Sequence, residues 1–226
     1  GSEKLTPEVG PYAFSMLSNA EAQSKVMVDY AMKGLKVQSA AILSDSGAQA
    51  KTAVEALKAE LAARSIKLAG VQEYQYRQTD MTPQLLALRR GSPDAILLFT
   101  SNGEDTGNMI KSANELGWGV KVVGSFGATF SGPALKIAGK DAYKNVVAVN
   151  YRGFSYCPSE TTPKTFQDFV ASVKAFKPEA FDRQPLAYLS LWYDAVYVLK
   201  AAVEGTGGKT DGPSVGAWLE ANSKSF

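Results

Sequence analysis

The feature that most constrains the fold of this chain is a regular alternation of short apolar runs and helical patterns over residues 12–150. The clearest repeat covers residues 39–61. Ala40 to Leu43 is long enough for a buried strand and too short for a helix. Small and polar turn residues follow, and from Ala48 onward apolar residues recur at helical spacing. Strand, turn and helix in this order make half of a βαβ unit.

The same order continues on both sides of this repeat. Strands are predicted at residues 12–17, 38–43, 67–76, 95–99, 120–123 and 146–149, with helices between them. The first helix is expected to begin at a cap formed by Ser18 or Asn19 and to carry Ala22, Val26, Tyr30 and Ala31 on one face. This alternation predicts an α/β fold with a parallel, doubly wound sheet and right-handed crossovers.

The pattern changes after Tyr151, where only helices are predicted. They cover about residues 163–176, 185–204 and 213–221. The middle helix carries apolar residues on most of its circumference, so it should be buried on more than one side. No strand is predicted in this region for the helices to cover. Either they pack on the α/β lobe before them, or their natural partner is missing from this chain.

Composition argues against several classes of protein. A chain of 226 residues, 45% of them hydrophobic, suits one large domain or two small ones. The formal net charge of +2 is too small and too evenly spread for a nucleic-acid surface. No apolar run is predicted to be long enough to cross a bilayer. Histidine is absent and Cys157 is the single cysteine, which excludes histidine-based catalysis and a thiolate metal site.

The sequence also lacks the motifs of nucleotide-dependent enzymes. No G-x-G-x-x-G follows a strand, and no G-x-x-x-x-G-K-[ST] phosphate loop is present. Asp45 and Asp80 could act as paired carboxylates, but nothing around them supplies a metal-ligand set or a nucleophile. We therefore predict that the protein is not an enzyme and uses no cofactor or metal.

A set of short motifs, in order and at family spacing, resembles the type I periplasmic solute-binding proteins of branched-chain amino acid (Leu/Ile/Val-binding) ABC transporters. Each motif is weak alone, and together they cover essentially all of residues 11–222. They are Tyr12-Ala13-Phe14, Ala41-Ile42-Leu43-Ser44-Asp45, Thr79-Asp80-Met81-Thr82, Pro93-Asp94-Ala95-Ile96-Leu97-Leu98, Glu115-Leu116-Gly117, Val123-Gly124-Ser125, Ala187-Tyr188 and Tyr193-Asp194-Ala195-Val196-Tyr197.

The resemblance implies two α/β lobes joined by three crossing strands, with a ligand between the lobes. Residues 12–150 would be the complete second lobe, and residues 151–226 the hinge and helices of an incomplete other lobe. The chain would then be truncated. Such a chain would expose the apolar face of the 185–204 helix, which favours self-association or segment exchange between copies.

The function implied by the resemblance is solute capture in the periplasm for an ABC importer. The partners would be a small carboxylate or amino acid ligand and the membrane permease subunits, with no nucleic acid. A branched-chain amino acid binder and a sensory ligand-binding domain of the same fold remain as alternatives, because one fold can serve both roles.

The resemblance also implies where the second lobe contacts its ligand, in the turns after its strands. Family tyrosine positions correspond to Gln49 and to Asn102, which lies beside Thr100 and Ser101. An acidic residue that holds the ligand's ammonium group in amino acid binders corresponds to Phe126. We therefore expect a ligand without an α-ammonium group, such as a carboxylate with an apolar or aromatic body. Alternatively, Phe126 is a core residue of the lobe.

Four more residues are candidates for ligand binding. Ser44 and Ser46 could present hydroxyls to a carboxylate at a helix N-terminus, or could simply cap that helix. Tyr151 and Arg152 lie at the expected hinge. Arg152 could pair with a ligand carboxylate, although a solvated side chain is the simpler interpretation.

Overall fold

A computed structural model describes residues 10, 12–156, 159–180 and 186–223 of the chain. Cys157 lies outside the described residues, as do the first nine residues and the last three. The described strands are β1 (Ser39–Asp45), β2 (Lys67–Tyr74), β3 (Ala95–Phe99), β4 (Lys121–Gly124) and β5 (Val146–Ala148). The described α-helices are α1 (Ala20–Lys33), α2 (Ala48–Ala63), α3 (Thr82–Arg89), α4 (Gly103–Glu115), α5 (Ser131–Ala138), α6 (Lys164–Phe176), α7 (Leu186–Gly205) and α8 (Gly212–Asn222).

The five strands form one parallel sheet with the order β2-β1-β3-β4-β5. The central strands β1 and β3 are buried almost throughout, which explains their continuous apolar sequences. Each face of the sheet carries a separate core. One core includes Met27 of α1 and Leu57 of α2, and the other includes Leu85 of α3 and Met109 of α4. The predicted doubly wound α/β fold is therefore confirmed.

Asn19, one of the two predicted caps, is the N-cap of helix α1. The Asn19 side chain accepts a hydrogen bond from the backbone N–H of Ala22 at 2.7 Å. The predicted apolar face is not the buried one, however, because Val26 is 51% exposed and Tyr30 is 44% exposed, and of its four residues only Ala31 is buried. The buried face consists mostly of small and polar residues: Ala20, Gln23, Ser24, Met27, Val28 and Ala31.

The strand predicted at residues 12–17 is not formed. This segment has no regular secondary structure and pairs with no strand of the described sheet. Instead, the ring of Tyr12 lies where side chains on Gly212 and Gly216 of α8 would stand. Residues 12–17 therefore run from the α7–α8 pair to the start of α1.

Helix α7 is the element with the most exposed apolar surface. Trp192 is 65% exposed and Val196 is 67% exposed, whereas Ala187, Ser190 and Ala202 are buried. At 20 residues, α7 is long and apolar enough to cross a membrane by length and composition, with 17% of its apolar window buried. The expectation that no run has this length is therefore wrong. A helix that another part of a protein covers meets the same criteria, so length and composition alone do not place α7 in a membrane.

Candidate site at the carboxyl edge of the sheet

The turns that follow β1, β3 and β4 meet at one edge of the sheet and enclose a cavity of about 110 Å³. Parallel strands bring all their carboxyl ends to the same edge, which is where α/β proteins bind ligands. Three of the predicted site residues, Gln49, Thr100 and Phe126, line this cavity together. Tyr188 of α7 lines the cavity as well.

Phe126 is buried, with 7% of its surface exposed, at the start of the single-turn helix Phe126–Thr129 after β4. Its ring meets the edges of two other rings, with centroid distances of 5.5 Å to Phe130 and 5.2 Å to Tyr151. Phe130 in turn meets Tyr188 at 5.7 Å. Edge-to-face pairs at these distances are favourable. An aromatic wall therefore runs from the end of β5 to α7.

The turns after β3 and β4 are held together by a reciprocal pair of hydrogen bonds. The Ser125 hydroxyl accepts from the Thr100 backbone N–H and donates to the Thr100 carbonyl oxygen, both at 3.0 Å. The Tyr74 hydroxyl donates to Oγ1 of Thr100, also at 3.0 Å, and burial raises the pKa of Tyr74 well above its usual value. Tyr74 therefore stays protonated and fixes the Thr100 side chain.

Asp45 performs the same task between the turns after β1 and β3. It is 1% exposed, and its Oδ2 accepts from the Ser101 hydroxyl at 2.7 Å while Oδ1 accepts from the Gly47 backbone N–H at 2.9 Å. Neither Ser44 nor Ser46 caps α2, whose N-cap is Gly47 without a side-chain hydrogen bond. The capping interpretation of these two serines is therefore wrong, and neither lines the cavity.

Asn102 and Arg152 also lie away from the cavity lining. Asn102 is the N-cap of α4, where its Oδ1 accepts from the Asp105 backbone N–H at 2.7 Å and its Nδ2 donates to Asp105 Oδ2 at 2.8 Å. Arg152 is paired with Glu160 on the surface and donates to the carbonyl oxygen of Ser155 at 2.6 Å. Tyr151 is not part of the lining of the 110 Å³ cavity. It contacts Phe126, which does line that cavity, and it lines a neighbouring cavity of about 180 Å³.

Gln23 lines both cavities, and it is not among the residues that the sequence predicted. Its carboxamide accepts from the Phe126 backbone N–H at 3.0 Å and donates to the Ser18 carbonyl oxygen at 3.1 Å. A sequence signal existed, since Gln23 shares the spacing of Ala20 and Met27 on α1. A polar residue on a buried helix face needs a hydrogen-bond partner.

The lining of the 110 Å³ cavity is neutral. Its described residues are apolar, aromatic, amide or hydroxyl side chains, and none carries a charge. In the part of the chain that the structure describes, no three His, Cys, Asp or Glu side chains come close enough together to hold a metal ion. Such a surface can hold a small molecule by stacking and hydrogen bonds.

A five-stranded parallel sheet with a cavity at its carboxyl edge defines the class of α/β ligand-binding lobes. Within this class, the chain belongs to the periplasmic binding protein family, whose model matches residues 1–224. The family consists of solute-binding proteins, which are not enzymes. No curated protein matches the chain.

Solved structures share this fold. A type 1 periplasmic binding protein from Bordetella pertussis Tohama I has a TM-score of 0.79 at 23% identity, over 93% of this chain and 56% of its own. The branched-chain amino acid binding protein LivJ from Streptococcus pneumoniae, in complex with isoleucine, has a TM-score of 0.77 at 18% identity, over 96% and 58%. A solute-binding protein of an ABC transporter from Rhodopseudomonas palustris BisB5, in complex with 3,4-dihydroxybenzoic acid, has a TM-score of 0.72 at 24% identity, over 95% and 56%. This chain thus spans a little over half the length of these relatives.

Proposed function

We propose that this protein is the extracytoplasmic solute-binding component of an ABC importer and captures a small carboxylate between two lobes. In this proposal, residues 12–150 form one lobe, and residues 151–226 form the hinge and part of the other. The ligand is bound and released unchanged in the periplasm, and membrane permease subunits recognise the closed form. Membership of the periplasmic binding protein family and the cavity at the sheet edge support this role.

The neutral, aromatic lining of the cavity is the observation that carries the ligand class. An ammonium group that enters a closed cleft loses its water and needs an anion or several acceptors. Phe126 offers only its ring, and a cation–π contact contributes about 1–2 kcal/mol, less than the desolvation cost of a buried charge. We therefore propose a ligand without an α-amino group, with an aromatic body that packs against Phe126 and Phe130.

The N-terminus of α2 supports the carboxylate end of this ligand. Its cap, Gly47, contributes no side-chain hydrogen bond and donates its own N–H to Asp45 Oδ1, so in this proposal the ligand carboxylate accepts from the N–H groups that follow Gly47. Gln49 lies in this first turn and lines the cavity. A helix N-terminus favours an anion through these donors and through the helix dipole.

The relatives with bound ligands cover both alternatives. The Streptococcus pneumoniae protein holds isoleucine, an amino acid, whereas the Rhodopseudomonas palustris protein holds 3,4-dihydroxybenzoic acid, an aromatic carboxylate without an α-amino group. The second ligand belongs to the class that we propose here.

Thermal unfolding of the full-length gene product tests the ligand class. Leucine, isoleucine and valine are compared with benzoate, 3,4-dihydroxybenzoate and phenylacetate. A ligand at 100 times its dissociation constant stabilises by about 2.7 kcal/mol, which raises the midpoint of a protein as long as these relatives by roughly 3–5 °C. We expect the shift only with the amine-free carboxylates. A shift with the amino acids alone would contradict the proposal.

A substitution at Phe126 locates the effect. Phe126→Glu removes the ring that packs against the aromatic body of the ligand and adds a second anion to the cavity that holds the carboxylate, so we expect the affinity for the amine-free acids to fall at least roughly tenfold. Phe176→Leu is the control, because Phe176 is 90% exposed and distant from the cavity lining. An equal loss of affinity in both variants would show that Phe126 has no specific role in ligand binding.

A further inference from the structure

The buried amide of Gln23 bridges two parts of the chain that are far apart in sequence. Gln23 is 5% exposed. Its Oε1 accepts from the Phe126 backbone N–H at 3.0 Å, and its Nε2 donates to the Ser18 carbonyl oxygen at 3.1 Å. Only this orientation of the carboxamide satisfies both partners, since the first is a donor and the second an acceptor.

Tyr151 completes a closed ring of contacts with these residues. Its hydroxyl oxygen accepts from the Ser18 backbone N–H at 2.7 Å, and its aromatic ring meets Phe126 at 5.2 Å. The contacts thus form a closed ring, which runs from Gln23 to Phe126, then to Tyr151, then to Ser18 and back to Gln23. Ser18 follows the segment 12–17, whose first residue, Tyr12, packs on α8. Tyr151 lies in the segment that follows β5. The ring therefore joins both connecting segments to the turn that carries Phe126.

Gln23 and Phe126 also lie between two spaces. Both residues line the cavity of about 110 Å³ and the neighbouring cavity of about 180 Å³. The hydrogen bond from Phe126 to Gln23 fixes the backbone from which the aromatic ring projects. Without this hydrogen bond, the Phe126 ring between the two cavities would be free to shift.

We infer that Gln23 is a positioning residue, which sets the ligand affinity of the site by fixing the Phe126 turn and linking it to both connecting segments. This inference rests on the proposed function for its binding consequence. Its structural part, the ring of contacts, can be tested without a ligand.

Amide hydrogen exchange measures the ring directly. Gln23→Met keeps the length of the side chain and removes both hydrogen bonds, so the Phe126 amide should exchange roughly tenfold faster. Tyr151→Phe should accelerate the Ser18 amide in the same way. If the contacts form one unit, the double variant deviates from the sum of the single variants. Gln167→Met is the control, because Gln167 donates instead to the Thr162 carbonyl oxygen on the surface.

Gln23→Glu provides a milder variant with a specific signature. A glutamate keeps one oxygen for the Phe126 N–H, but its second oxygen, when ionised, faces the Ser18 carbonyl oxygen. Protonation restores a donor at that position. Relative to the wild type at the same pH, affinity for benzoate or 3,4-dihydroxybenzoate should be at least roughly tenfold weaker at pH 7 and should recover as the pH falls.

The outcomes distinguish the two ideas. Unchanged exchange at Phe126 in Gln23→Met, with Gln23→Glu also unchanged, overturns the positioning role. Faster exchange with unchanged affinity for the probes overturns it as well, because the turn would then move without effect on binding. If no probe stabilises the wild type while the exchange results hold, the proposed function fails and the ring of contacts stands.

Discussion

Gly127 allows the turns after β3 and β4 to approach each other at the cavity. A Cβ atom added at this position would lie 1.9 Å from the Thr100 carbonyl oxygen, closer than any real contact. The same Thr100 carbonyl accepts the Ser125 hydroxyl, so it cannot retreat without the loss of that bond. A residue without a side chain is therefore required beside Phe126.

Replacement of Gly127 by alanine should accordingly destabilise the protein. We expect the free energy of unfolding to fall by about 1–3 kcal/mol, the usual cost of overpacking. Gly132→Ala is the matched control, because a Cβ there meets nothing within 4 Å and α5 gains a better helix former. Urea unfolding of both variants measures the difference, and equal stabilities would show that the turn can adjust.

The sequence predicted some of the site residues for a physical reason and missed others for an equally physical one. Gln49, Thr100 and Phe126 come together because parallel strands end at one edge. Gln23 was missed because the large residues Val26 and Tyr30 suggested the wrong inner face for α1. The true face packs closely on the sheet and therefore uses small residues, which a search for large apolar side chains overlooks.

At the scale of elements, the N-terminus of α4 contains a buried carboxylate. Asp105 is fully buried, and its Oδ2 accepts from Asn102 Nδ2 at 2.8 Å and from the Arg77 backbone N–H at 3.3 Å. Its Oδ1 has no hydrogen-bond partner in the described residues. Burial raises the pKa of Asp105, the two hydrogen bonds oppose this shift, and the nearby carboxylates Asp45 and Glu104 add to it.

This pKa shift predicts how stability depends on pH. The unfolded chain loses the Asp105 proton near pH 4, whereas the folded protein keeps it to a higher pH. The free energy of unfolding therefore decreases as the pH rises from about 4 through the folded pKa. Asp105→Asn should remove this contribution, so its stability should decline less than that of the wild type between pH 4 and pH 7. Urea denaturation at each pH measures the free energy of unfolding. The same decline with pH in Asp105→Asn and the wild type would contradict the assignment.

The positions of elements that find a partner within the chain followed from the sequence to within about two residues. The buried strand β3 was predicted at its observed limits, because a continuous apolar run between turn residues has few other solutions. The strand predicted at residues 12–17 failed because a strand requires a neighbour. Tyr12 packs on Gly212 and Gly216 instead, a tertiary contact that local periodicity does not encode.

At the scale of the whole molecule, α7 leaves an apolar face without cover in the described structure. Trp192, Val196, Tyr197 and Leu199 are each more than half exposed. Exposed apolar patches of this kind mark interaction surfaces. In a solution of the pure chain, a second copy offers an apolar face of the same kind to cover it.

We therefore expect the 24.1 kDa chain to self-associate as its concentration rises. Trp192→Glu combined with Val196→Lys should return it to a monomer, because both changes place charges on the apolar face. Lys200→Gln on the same helix is the control, since Lys200 is exposed and pairs with Glu204 on the same helix. Sedimentation velocity across a concentration series measures the mass, and a monomer throughout would contradict the expectation.

The hydrogen bond between Ser18 and Tyr151 spans 133 positions of sequence and brings the two ends of the α/β unit together. A unit whose ends lie close together suits domain insertion, because a surface loop of another protein can accept it without distortion of either chain. Residues 18–151 thus carry the sheet, both of its cores and the Phe126, Phe130 and Tyr151 part of the aromatic wall within a single segment.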